Sequence, residues 1–145
     1  MCGEIAEGLA PRPVREIALE NGATLEVLDA SRPLVGDRWQ VAALFRLTVP
    51  VDRALADAGA QGPDPAAVRR LVGDTVRFEK RMERIFVPNE EKDSCFDELV
   101  RRYLDGNLGY LGRPAFARNC VLRHYREARR KAGWNATPNP GSAGG

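Results

Sequence analysis

Between Trp39 and Val51 the apolar residues Trp39, Val41, Ala43, Phe45, Leu47, Val49 and Val51 take every second position, with Gln40, Arg46 and Thr48 on the alternate set. Period two is the mark of a half-buried strand, and the β-branched and aromatic content agrees, so this stretch is read as the central strand. Upstream, Asn21-Gly22 separates two shorter runs, Arg15 to Glu20 and Ala23 to Asp29, and is a strong hairpin signal. A two-residue loop would set Leu19 against Thr24 and Ile17 against Glu26, apolar opposite polar. A three-residue loop Glu20-Asn21-Gly22, with Gly22 left-handed, instead pairs Leu19 with Ala23, Ile17 with Leu25 and Arg15 with Val27. That register puts Ile17, Leu19, Leu25 and Val27 on one face, and it is the one expected here.

Ser31 to Asp37, with Pro33 and Gly36, reads as a connection, so the first three strands form a meander. After a short helical turn at Ala54 to Ala58 and a loop from Gly59, Asp64 caps a helix with Pro65 in its first position, running to Gly73. Thr75 to Val87 fits both periods. Gly73-Asp74 before it and Pro88-Asn89 after it favour a strand. Next, Asn89 is expected to cap a helix with Glu90, Glu91 and Asp93 in its first turn and Phe96, Leu99, Val100, Tyr103 and Leu104 as its apolar stripe. Gly106 is expected to end it, with Asn107 to Gly112 a loop. Pro114 opens the last helix, expected to run to about Ala132.

The fold class that follows is α+β: an antiparallel sheet of about four strands, three in a meander and one later, covered by two C-terminal helices. Residues 14–132 are expected to form one domain between a flexible lead-in, 1–13, and a disordered Pro/Gly-rich tail, 133–145. At 145 residues with 43% apolar content, one core suffices without staples. Cysteines at 2, 95 and 120 have neither the number nor the spacing of a disulfide framework or zinc site. With no basic and apolar leader and no run of eighteen apolar residues, the expected location is cytoplasmic, away from membranes.

The net charge of +2 hides a strong segregation. Residues 89–112 carry a net −3, whereas residues 113–131 hold seven cations against one glutamate. On a helical wheel Ala117, Val121, Tyr125, Ala128 and Ala132 form one arc, and Arg118, Arg123, Arg126, Arg129 and Arg130 occupy the opposite side, with Leu122 among them. Arg101 and Arg102 are candidates to widen this patch. Guanidinium groups bind carboxylate and phosphate through paired N–H donors, so the five arginines are the candidate binding residues, for an acidic protein partner or nucleic acid. The competing reading is a solvated cationic face near a helix C-terminus.

Catalytic signals are sparse. Cys120 and His124 lie one turn apart and share a helix face, but two such groups make neither a metal site nor a nucleophile with its base. Met1-Cys2-Gly3 resembles the start of class II glutamine amidotransferases, which implies a Cys2 nucleophile, although that catalytic domain is longer than this chain. Asp29-Ala30-Ser31 with Gly36 resembles the D-x-S-x-x-G element of PilZ domains, implying cyclic di-GMP binding. Here the glycine comes two residues late, and Arg12 and Arg15 have R-x-x-R spacing where that family has R-x-x-x-R. Asp and Ser in such a turn also bond nearby main-chain amides. No phosphate loop, zinc spacing or nucleophile elbow occurs. The reading is therefore a non-catalytic binding or protein-interaction module, with nucleic-acid or nucleotide binding second and an enzyme third. No cofactor, metal or catalytic residue is assigned, and the oligomeric state is left open.

Overall fold

The computed structural model describes residues 10–56 and 62–136, the last three by main chain only. The strands are β1 (Arg12–Ala18), β2 (Thr24–Asp29), a two-residue β3 (Arg32–Pro33), β4 (Arg38–Pro50) and β5 (Thr75–Pro88). The helices are α1 (Val51–Leu55), α2 (Pro65–Val72), α3 (Lys92–Leu111) and α4 (Pro114–Ala136). All five strands join one antiparallel sheet in which β4 is central, with β2 and β3 along one edge and β5 along the whole of the other. The α+β class, the meander and the late strand are as the sequence indicates.

The β1–β2 turn has the three-residue form. Arg15 pairs with Val27 and Ile17 with Leu25, the Leu19 amide donates to the Ala23 carbonyl at 2.9 Å, and Gly22 is left-handed at φ 89°. β1 starts at Arg12, so the end of the expected lead-in belongs to the sheet. β5 is a strand for a reason visible in the register: Val76, Phe78 and Met82 lie opposite Val49, Leu47 and Ala43, on the face that holds Val41, Phe45, Leu25 and Val27. Those side chains are the heart of the core, and burying each large one contributes about 2 kcal/mol. Alternation is incomplete, because Ala42, Leu44 and its neighbour Leu28 are buried on the opposite face, where Arg46 pairs with Glu26 and Glu79.

Asp64 caps α2 by accepting from the Ala66 amide, and left-handed Gly73 ends it. α3 departs from expectation at both ends. Asn89 to Glu91 make a 3-10 turn, and the Asn89 side chain accepts from Trp39 Nε1 at 2.9 Å instead of capping the helix. Gly106 does not stop α3: Leu108 and Leu111 continue the apolar stripe, and Asn107 donates to the Tyr103 carbonyl one turn back. Buried contact on both sides of a glycine outweighs its cost of about 1 kcal/mol in a helix. Gly112 then ends the helix, so the expected loop is only Gly112 and Arg113.

α3 lies across β4 and β5, where the Tyr103 ring stacks on Phe45 with centroids 4.0 Å apart. α4 extends to Ala136, beyond its expected end, and packs on α1, α2 and the adjoining ends of β4 and β5 through Ala117 and Val121. No helix among the described residues is long and apolar enough to cross a membrane.

Candidate functional site

α4 turns Ala117, Val121 and Tyr125 of its apolar arc inward while Ala132 at the far end is exposed, and Leu122, the exception within the basic arc, is half-buried against the core. Arg123, Arg126, Arg129 and Arg130 are exposed and Arg118 is half-buried. From Arg118 to Arg130 the face runs about 18 Å along the helix. Arg129 lies over the Tyr125 ring, 5.6 Å from its centroid, which flattens that guanidinium against the helix flank.

None of the five arginines is ion-paired among the described residues. Elsewhere arginines find carboxylates: Arg46 bridges Glu26 and Glu79, Arg69 meets Asp52, and Arg102 meets Glu98 at 3.4 Å. Arg102 pairs with Glu98 within α3 and stays exposed, and Arg101 lines a groove against β1. The positive surface is carried by α4 itself. It offers multiple bidentate N–H donors to carboxylate or phosphate oxygens.

The Cys120–His124 pair is organised against nucleophilic chemistry. His124 Nδ1 is 2.9 Å from the Cys120 carbonyl oxygen and not from the thiol. A carbonyl only accepts, so Nδ1 carries the hydrogen and cannot serve as a base toward that sulfur. The thiol is buried, and burial pushes its pKa above the ordinary value, with Arg123 pulling weakly the other way. Asp29 and Ser31 are occupied in the way their local chemistry predicts: Asp29 accepts from the Ser31 amide at 2.9 Å, and Ser31 Oγ accepts from the Ala42 amide at 3.0 Å. Arg12 also pairs with Asp29. Cys2 lies outside the described residues. Among those described, no three His, Cys, Asp or Glu side chains converge as metal ligands.

One feature escapes sequence reasoning. Because α3 lies over β4 and β5, the inner face of β1 is left uncovered, and a groove of about 500 Å³ runs between the two over Val14, Val27, Val100 and Leu104. Its rim carries Arg15 and Arg101 together with Asp97 and Asp105, a balanced set that selects neither sign of charge. The only hint in the chain is Val14, which sits at the β1 register shift with its side chain exposed.

No protein-family model matches the chain, nor does any curated protein or solved structure. The functional reading therefore rests on the geometry of the sites.

Proposed function

We propose that the protein is a non-catalytic binding module whose α4 arginine face receives an acidic segment of a protein partner. The observation that carries this reading is that five arginines on one arc have no carboxylate partner among the described residues, while Arg46 on the sheet, Arg69 on α2 and Arg102 on α3 do. Unpaired guanidinium groups keep their full capacity for charge-assisted hydrogen bonds. Nucleic acid is the second reading, favoured by the predominance of arginine over lysine along α4. The overall charge of +2 and the acidic first turn of α3 favour a partner of limited extent over a long polyanion.

The test is fluorescence anisotropy with a labelled Asp/Glu-rich peptide and with a labelled DNA duplex, in a salt series, using the wild type and Arg126→Glu/Arg130→Glu. The expected result is salt-sensitive peptide binding that the double variant loses while its melting temperature stays within a few degrees. Unchanged binding by the folded variant would overturn the assignment. Duplex binding that falls with salt by about 0.9 log units per phosphate contact and log unit of salt would transfer the face to nucleic acid.

A further inference from the structure

Where the end of α2, the start of β5 and one flank of α4 meet, they border an open cleft of about 380 Å³. It lies beside the arginine arc and is lined by other residues. Leu71, Val72 and Val76 form an apolar wall, with Leu71 43% exposed and Val76 buried. The charged groups that face it are Arg77 from β5 and His124, Glu127 and Lys131 from α4, and α2 supplies none. Arg77, Glu127 and Lys131 have no ion-pair partner among the described residues.

His124 is engaged with the Cys120 carbonyl through Nδ1 at 2.9 Å. The two fixed cations Arg77 and Lys131 outnumber the single carboxylate of Glu127. A tetrahedral dianion has enough oxygens to accept from donors on two elements at once, while the apolar wall needs a ligand with a body attached.

We propose that this cleft binds a small organic phosphate, its phosphate held by Arg77 and Lys131 and its apolar body lying against Leu71, Val72 and Val76. The site is independent of the arginine face, and the two readings fail separately.

The experiment is calorimetric titration of the full chain with AMP, adenosine and inorganic phosphate. AMP is expected to bind with one-to-one stoichiometry, at least tenfold tighter than adenosine or inorganic phosphate. Arg77→Glu and Lys131→Glu, both at exposed positions, should each weaken AMP tenfold or more without moving the melting temperature. AMP binding that is missing in the folded wild type, equal to that of adenosine, or unchanged in the charge reversals overturns the proposal. So does loss of AMP binding in Arg126→Glu/Arg130→Glu, which leaves the cleft untouched.

Discussion

The side-chain amide of Asn21 donates to the main-chain oxygens of Leu111 at 2.8 Å and Arg113 at 2.9 Å, tying the β1–β2 turn to the junction of α3 and α4, about 90 residues further on. The same side chain accepts from the Ala23 amide at 3.0 Å, and it is the buried polar side chain of the described core. Carbonyls at the end of a helix have no partner within it, so Asn21 supplies what α3 lacks there. Asn21→Ala strands those groups and should cost about 2 kcal/mol, and Asn21→Asp should cost at least as much, since a carboxylate meets two carbonyl oxygens. Urea unfolding followed by circular dichroism checks both. A loss below about 0.5 kcal/mol for Asn21→Ala would show that water satisfies the junction equally well.

Phe86 presents the opposite case, a residue whose replacement should help. Between Trp39 and Val41 on β4, β5 inserts Ile85 and Phe86 against the single residue Gln40, and Phe86 takes φ 60° with its side chain 59% exposed. A left-handed L-residue costs roughly 1–2 kcal/mol, which glycine avoids at the price of a more flexible unfolded chain. Phe86→Gly should therefore raise stability by about 0.5–1 kcal/mol. A melting temperature that falls would mean the exposed ring makes contacts worth more than the strain.

Cys120 should behave as a packed thiol. In a Cys2→Ser background, iodoacetamide should label Cys120 in the native protein far more slowly than in urea. Its raised pKa also fixes a sign: the folded state holds the proton longer than the unfolded state, so the stabilisation is complete below the ordinary thiol value of about 8.5 and is lost as pH rises past it. Cys120→Ala should flatten the alkaline limb of the stability profile. Rapid native labelling at neutral pH would instead expose an activated cysteine.

Glu83 titrates in the other direction. Its Oε1 accepts from Arg81 Nε and Gln40 Nε2, both at 2.9 Å, and the Arg81 bond leads in holding the carboxyl below its ordinary value, with Gln40 next. The stabilisation is present above the ordinary carboxylate range and is lost as pH falls through the depressed value. The carboxylate is solvent-exposed, so the effect should be small and should shrink in high salt. Glu83→Gln should lose stability less steeply than wild type as the pH is lowered below about 4.3, and identical acid limbs would argue against the contact in solution.

Local chemistry explains which parts of this architecture were legible in the chain. Face matching between Ile17 and Leu25 was enough to choose the three-residue turn, and the flanking Gly73-Asp74 and Pro88-Asn89 punctuation was enough to favour a strand for Thr75 to Val87. Gly106 misled because helix propensity is a weak local term, whereas Leu108 and Leu111 find the core only in three dimensions. Asn89 misled because its side chain is taken by Trp39, fifty positions earlier. The arginine arc of α4 was readable since it belongs to one helix. The cleft at His124 was not, because Leu71, Arg77 and Lys131 come from three elements whose meeting no periodicity records.

The two outer strands of the sheet close it to further growth. β1 carries Pro13, which has no amide hydrogen to offer, a register shift at Val14, and the charged Arg12, Arg15 and Glu16. β5 runs 14 residues with Arg77, Glu79, Lys80, Arg81, Glu83 and Arg84 along it. An incoming chain seeking to copy either ladder would have to break a twist on one side or bury unpaired charge on the other. At high concentration such a molecule should resist fibril growth even though its most apolar strand runs 13 residues, because that strand is flanked on both sides and never offered as a template.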